Sequence, residues 1–561
     1  MTIRSFLEEA VKCSPQLPAQ RFFQGNQWVS RSYASLKERV IRATVVLRQL
    51  NLQPGRQNVA LMMENCPEWQ EIYLALAGSG LAVVPLDPKL RASEVCHILH
   101  DSEAVAIFAG SRLRNVVEQA VAGLPDLTSC VWVGEGSQMV DAVKDRVNHA
   151  YETLTNCAAA AVEAAREWFE QHRPSESTIA SIVYTSGTTG KPKGAVLTHG
   201  NFTANVQSTL ERVKFYSNEN FLNALPLFHS LSFTANFMLP LRIRACCSFV
   251  RSMKTIADDM KVLQPTILFA VPLMAEKIYA RITEKLRTSV LARLLPRIGL
   301  KSIVHKKVRA TFGGKLRLLG IGGAPSDVEV LKGFQSIGIP VLEGYGLTEC
   351  SPGVAYSDLD RYVPGTVGSV IPGMEYKVIE KDSTGAGELC VKGPNLMQGY
   401  YKNAEATAEI IDADGFFHTG DLVRFDADGN IRICGRRKAL IVNREGKNIY
   451  PEEIEQIIER CPLVQDVIVL GYHGAGEATS ERVGAIIVPN AETLTQKRTE
   501  KGWTTDAQAE AFLRDEISAL CRKHLADYKL PRKIIFRKEP LERTSTMKVR
   551  RVTYAGTLDE K

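Results

Sequence analysis

Tyr184-Thr-Ser-Gly-Thr-Thr-Gly-Lys-Pro-Lys-Gly194 is the stretch on which the reading of this chain turns. An apolar run, Ala180 to Tyr184, feeds into small hydroxyl residues, two glycines and two lysines. Glycine lets backbone N–H groups approach phosphate oxygens closely, hydroxyls add donors, and lysine supplies charge. The spacing excludes a Walker A loop, which needs four residues between glycine and Gly-Lys and a Ser/Thr after the lysine. Here Gly187 and Gly190 are separated by two residues, and Pro192 follows Lys191. A Gly/Thr-rich loop alone is as often merely flexible, so its surroundings decide what it is for.

On the N-terminal side, strand and helix alternate. Asn58 to Met63 reads as a buried strand and Pro67 to Gly80 as a helix with proline in its first turn. Leu81 to Leu86 reads as a strand, Leu90 to Asp101 as a helix, and Ala104 to Ala109 as a strand again. Such βαβ repetition implies a mostly parallel sheet covered by helices. Val140 to Gln171, rich in Ala, Glu and Arg, reads as helical. From about Gly365 to Cys434 short strands alternate with turn signals such as Gly385-Ala-Gly387 and Asp414-Gly415. After Gly435 the α/β alternation resumes: a helix from Pro451 to Arg460, strands near Val467–Gly471 and Gly484–Val488, and a helix from Ala507 to His524. The expected fold is therefore α/β. A large N-terminal domain, 1–435, carries mainly parallel sheets with helices and a β-rich subdomain over about 365–435. A small α+β C-terminal domain, 436–561, follows.

At 561 residues the chain is too long for one core. Its 45% hydrophobic and 23% charged residues are ordinary for a globular protein. Twelve cysteines without a CxxC pair suit a reducing compartment and make a zinc site a poor reading. The start, MTIRSFLEEAVKCS, has acids where a signal peptide needs an apolar run. Ile72 to Leu86, interrupted by two glycines and a proline, is too short to span a bilayer. A cytoplasmic protein is expected. The net charge of +7 is concentrated between Arg281 and Arg317, where eleven Lys/Arg face the single acid Glu284. That segment could meet the inner face of an anionic membrane, an acidic carrier protein or a phosphorylated ligand, or be a solvated helical surface. Aromatics barely interleave with these charges, which disfavours nucleic acid.

Taken together, the motifs resemble those of the adenylate-forming superfamily: acyl-CoA synthetases, adenylation domains of peptide synthetases and beetle luciferases. The likeness runs over nearly the whole chain. After the 184–194 loop come Gly322-Gly-Ala-Pro325, Glu343-Gly-Tyr-Gly-Leu-Thr-Glu349, His418-Thr-Gly-Asp421, Gly435-Arg436 and Arg543-Thr-Ser-Thr-Met-Lys548, in the family's order. The resemblance implies the following roles. Thr185, Ser186, Gly187, Thr188, Thr189, Gly190, Lys191 and Lys193 would hold the β- and γ-phosphates of ATP. Tyr345, with Gly346 beside it, would stack on adenine opposite Gly323, Ala324 and Pro325. Thr348 would contact the α-phosphate, Glu349 would bind Mg²⁺, and Asp421 with Arg436 would take the ribose hydroxyls. Lys548 would be the catalytic lysine, although the glycine that usually precedes it is Met547 here, which restricts that loop. Lys438 would be the hinge about which the C-terminal domain rotates, and the hairpin around Gly446 would line the pantetheine channel. Pro226-Leu-Phe-His-Ser-Leu-Ser-Phe-Thr234 resembles the motif bordering the acyl tunnel, with His229 near the substrate carboxylate.

The implied activity is ATP-dependent conversion of a fatty acid to acyl-AMP with release of pyrophosphate, then transfer to CoA. Three other readings stay open: transfer to the pantetheine of an acyl carrier protein, a luciferase-like oxygenase, and a non-catalytic acyl or nucleotide sensor.

Overall fold

Asn58–Met62 forms the strand expected there, and Val59 to Met62 are all buried. A strand covered on both faces needs apolar side chains at consecutive positions, which is why this run does not alternate. It pairs in parallel with Ala82–Pro85 on one side and Ala104–Gly110 on the other. Helix Pro67–Gly78, opened by Pro67, makes one crossover and buries all but one of its residues. The computed structural model describes residues 1–134, 147–185, 192–288, 301–445, 447–474, 481–543 and 549–559. The expectations for Ser186, Gly187, Thr188, Thr189, Gly190, Lys191, Gly446, Lys548 and the middle of 281–317 lie outside the described residues. Among the described residues no helix is long and apolar enough to cross a membrane.

The chain divides into two compact units. The first comprises Met1–Thr185, Pro192–Glu375 and Lys392–Phe417. It holds a seven-stranded sheet in the order Val147–Ala150, Ser129–Val133, Ala104–Gly110, Asn58–Met62, Ala82–Pro85, Ile179–Thr185, Lys193–Thr198. Only the last pair is antiparallel. A second sheet has nine strands, at whose centre Val341–Gly346, Leu318–Gly322, Ile267–Ala270, Asn220–Asn223 and Cys246–Phe249 lie side by side and parallel. The chain adds Cys246–Phe249 on one side of Asn220–Asn223 and then Ile267–Ala270 on the other. Such a reversal opens a crevice beyond the C-terminal ends of the strands.

The second unit contains Tyr376–Val391 and His418–Lys561. Strands Glu375–Ile379, Gly387–Lys392, Phe417–Phe425 and Ile431–Arg436 form a four-stranded sheet. Most of the expected β-rich subdomain's strands thus group with the C-terminal residues, while Ser369–Val370 joins the nine-stranded sheet. Helix Pro451–Ile458 packs on strand Ile431–Arg436, so closely that a Cβ at Gly435 would lie 2.6 Å from Glu452 Oε2. Beyond it a three-stranded sheet, Val464–Tyr472, Arg482–Pro489 and Lys533–Phe536, packs with Asp506–His524 around Ile454, Ile458, Leu513 and Ile517.

One expectation needs correction. Val140 to Gln171 is not one helix: Val147–Ala150 is a strand, and the helices are Tyr151–Thr155 and Ala159–Gln171. Parallel pairing with Ser129–Val133 at the sheet edge satisfies the backbone of 147–150, and this tertiary bonding overrides local helix preference. Helix Ala491–Lys501, none of whose residues is buried, carries no apolar stripe by which to predict it.

Asp382 ties the four-stranded sheet to the hairpin that follows it. Its Oδ2 accepts from Tyr450 OH at 2.8 Å and Asn448 Nδ2 at 3.3 Å, and its Oδ1 accepts from Thr384 N at 2.8 Å. Burial opposes the charge, but the donors from Thr384, Tyr450 and Asn448 outweigh it and hold the pKa at about 2. A carboxylate with a depressed native pKa stabilises above its unfolded value, about 3.9, and loses that contribution as pH falls through its folded value. Asp382→Asn should therefore destabilise the second unit most above pH ~4, with the difference shrinking toward pH ~2. Tyr450→Phe should cost about 1 kcal/mol at neutral pH. Urea unfolding across pH checks both.

Candidate active site

Three expected motifs begin where parallel strands of the nine-stranded sheet end. Asn220–Asn223 runs out toward Pro226–Thr234, Leu318–Gly322 into Gly323-Ala-Pro325, and Val341–Gly346 into Leu347-Thr-Glu349. Gly323, Ala324 and Pro325 are exposed at this edge, and Tyr345 is half-buried on the neighbouring strand. Glu343, two residues before Tyr345, is buried and accepts from Tyr362 OH at 2.7 Å and Gly365 N at 3.3 Å.

Thr348 and Glu349 sit in a short 3₁₀ turn, Thr348–Cys350, inside a hairpin loop that is held from several sides. Leu347 N donates to Pro352 O at 2.9 Å and Cys350 N to Leu347 O at 2.8 Å. Thr234 Oγ1 donates to Ser351 O at 3.0 Å. The buried amides of Asn205 and Asn395 both donate to Gly353 O, at 2.9 and 3.0 Å. At the base of the loop a Cβ on Gly346 would stand 2.3 Å from Pro352 O, a backbone atom that cannot swing aside.

The acyl-side motif reaches this turn through Ser230, whose hydroxyl lies 3.1 Å from that of Thr348. Sequence reasoning passed over Ser230, and a Ser inside Phe-His-Ser-Leu-Ser carries no mark that separates it from Ser232. His229 caps helix Ser230–Phe233, its Nδ1 accepting from Leu231 N at 3.3 Å. An accepting Nδ1 places the proton of the neutral ring on Nε2, which makes that nitrogen a donor. The helix continues into a π turn, Thr234–Met238. There Phe237 packs against Trp69 and Tyr73 at ring separations of 6.1 and 5.9 Å.

Thr185 and Lys193, which flank the phosphate-loop residues, are register partners on adjacent antiparallel strands. The segment 397–401 runs alongside. Met397 N donates to Glu349 O at 2.8 Å, Gln398 N to Val196 O at 3.0 Å, and Tyr401 N to Gly194 O at 2.7 Å. Tyr400 OH donates to Glu349 Oε1 at 2.9 Å, and the Lys193 ammonium lies 5.3 Å from the centroid of the Tyr400 ring. Burial, and then the adjacent Glu349 carboxylate, push the Tyr400 pKa up, so its hydroxyl remains a donor.

In the second unit Asp421 and Arg436 are register partners on neighbouring strands and form an ion pair, with Arg436 Nε 2.6 Å from Asp421 Oδ1. Asp421 is buried. Lys438 is exposed in the short turn Arg437–Ala439, while Arg437 before it pairs with Glu388 and with Glu380 at 2.6 Å.

The donor set suits Mg²⁺. Among the described residues no group of three or more His, Cys, Asp or Glu could cage a metal ion. Glu349 offers one carboxylate whose Oε2 has no partner among the described residues. A single carboxylate that shares the ion with substrate phosphates is the usual way proteins bind Mg²⁺.

A model of the family described as AMP-binding enzyme matches residues 7–401, and one for its C-terminal domain matches 453–548. The chain belongs to the AMP-binding enzyme family. This AMP-binding enzyme is 29% identical over 523 residues to long-chain-fatty-acid–CoA ligase 1 of Cavia porcellus, covering 87% of this chain and 73% of that protein. It is 30% identical to long-chain-fatty-acid–CoA ligase 6 of Mus musculus, covering 85% and 72%. Its fold is similar to ATP-bound MatB from Rhodopseudomonas palustris, with a TM-score of 0.76, 26% identity and 99% of each chain covered.

Gly346→Ala should cost about 1–3 kcal/mol by overpacking against Pro352 O and should weaken ATP binding by displacing Thr348. Thermal unfolding together with calorimetric ATP titration reads both effects.

Proposed function

We propose that this AMP-binding enzyme joins a fatty acid to coenzyme A in two half-reactions driven by ATP. A carboxylate is a poor electrophile because its leaving group is oxide. In the first half-reaction its oxygen attacks the α-phosphorus of ATP, the bond to the β-phosphate oxygen breaks, and pyrophosphate departs. In the second, the CoA thiol attacks the acyl carbonyl and AMP leaves with the electron pair.

The observation that carries this reading is the meeting of a hydroxyl, a carboxylate and an ammonium: Thr348 and Glu349 share the turn beyond the nine-stranded sheet, Thr348 lies beside Ser230, and Glu349 is joined through Tyr400 to Lys193 of the seven-stranded sheet. The first suits a phosphate oxygen, the second a divalent cation and the third a polyphosphate. Glu349 would hold Mg²⁺ through Oε2, and the bound ion would offset repulsion between the incoming carboxylate and the phosphates. We assign the adenine face to Tyr345 and Gly323–Pro325, the ribose hydroxyls to Asp421 and Arg436, and a donor to the substrate carboxylate to His229. Lys548, by its place in the motif, is the cation that stabilises charge at the reacting oxygens, with Lys438 as the pivot between half-reactions.

The choice of a fatty acid and of CoA follows the names of the relatives, which are ligases of long-chain fatty acids and CoA. The exposed Arg281, Lys285, Lys306 and Lys307 support a face that meets an anionic membrane.

The test is pyrophosphate and AMP release with ATP, Mg²⁺ and palmitate, with and without CoA. Palmitate-dependent release, accelerated by CoA, is expected. It should fall roughly 10²–10³-fold in Lys548→Ala. Activity only with a holo acyl carrier protein would replace CoA as the acceptor. Tight ATP binding without acid-dependent turnover at any chain length would sink the enzymatic reading.

A further inference from the structure

Tyr400 belongs to none of the motifs considered so far, yet it touches two of them. Its hydroxyl donates to Glu349 Oε1, and its ring lies beneath the Lys193 ammonium. Its own placement is fixed by backbone bonding that side-chain changes leave intact. Tyr400 bridges Ala195 of the phosphate-loop strand, its N–H donates to Thr407 Oγ1 at 2.9 Å, and the residues around it bond to Gly194, Val196 and the carbonyl of Glu349. The side chain therefore hangs from a fixed segment between Lys193 and the acidic turn. A half-buried carboxylate with one oxygen engaged has its rotation restricted, and its other oxygen stays open to a cation. A lysine over an aromatic face is held at a stated place without being neutralised by an acid.

We infer that Tyr400 is a positioning residue for adenylation, holding Glu349 by Oε1 so that Oε2 meets the metal of the nucleotide, and holding the Lys193 ammonium at the phosphate side. This rests on the assignment of Glu349 to that metal. The ring and the hydroxyl have separable duties: the hydroxyl acts through Glu349 and the ring through Lys193.

Calorimetric titration of ATP, with Mg²⁺ and in EDTA, separates these duties in wild type, Tyr400→Phe, Tyr400→Leu, Glu349→Ala and the Tyr400→Phe/Glu349→Ala double variant. Thermal midpoints serve as the control for folding. Tyr400→Phe should keep its midpoint and its metal-free ATP affinity and lose roughly tenfold of the affinity gained from Mg²⁺. Tyr400→Leu should in addition weaken metal-free ATP binding by roughly 2–5-fold, as Lys193 loses its aromatic face. In the Glu349→Ala background, Tyr400→Phe should have no further effect. If Glu349→Ala abolishes the Mg²⁺ gain while Tyr400→Phe leaves it at the wild-type level, the inference is wrong and the metal assignment survives. Full additivity in the double variant also overturns it. If Glu349→Ala itself leaves the Mg²⁺ gain unchanged, the metal assignment fails, and the inference falls with it.

Discussion

In a parallel sheet every strand ends on the same edge, so the loops that follow Asn220–Asn223, Leu318–Gly322 and Val341–Gly346 emerge near one another. Parallel pairing in turn demands crossovers and burial on both faces, which the consecutive apolar residues of these strands supply. The functional groups are carried on short loops whose carbonyls and amides are satisfied by buried side chains such as Asn205, Asn395 and Thr234. Loops held in this way keep a hydroxyl and a carboxylate in one turn, and Tyr400 links that carboxylate to the Lys193 ammonium of the seven-stranded sheet.

The chemistry assigned to the site is a problem of charge, since an anion must approach a tetraanionic phosphate chain. A protein that placed Lys193 against Glu349 directly would neutralise both before the nucleotide arrived. The structure interposes the Tyr400 ring, which attracts the cation without cancelling it, and a phenol that donates to the carboxylate without supplying a charge. In the second unit the opposite choice is made: Asp421, which is buried, and Arg436 are paired directly across adjacent strands.

Much of this was legible in the sequence because the motifs follow strands. The apolar run before Thr185 and the glycines of 322–323 and 344–346 announce turns at strand ends, and the mainly parallel sheets followed from the alternation of strand and helix. The contacts between motifs were not legible. Ser230 meets Thr348 from 118 residues away, and Tyr400 meets Glu349 from 51. Neither partner has a local signal, since Tyr400 lies in Gly-Tyr-Tyr-Lys-Asn, which reads as an ordinary polar loop. The strand Val147–Ala150 was hidden for the same reason, its support coming wholly from the edge of a sheet. So was the grouping of Tyr376–Val391 with the C-terminal residues, in which Gly387–Lys392 lies beside Phe417–Phe425 and Asp382 accepts from Tyr450 OH.

The account stands on the claim that a carboxylate oxygen of the substrate becomes bonded to the α-phosphorus of ATP. Palmitate carrying oxygen-18 in its carboxylate, turned over with ATP, Mg²⁺ and CoA, tests this by mass spectrometry of the nucleotide and phosphate products. The account predicts AMP that has gained a single heavy oxygen, left behind when the thiol takes the acyl group. Unlabelled AMP, or the heavy oxygen appearing in pyrophosphate or phosphate, would place the attack on another phosphorus and contradict it.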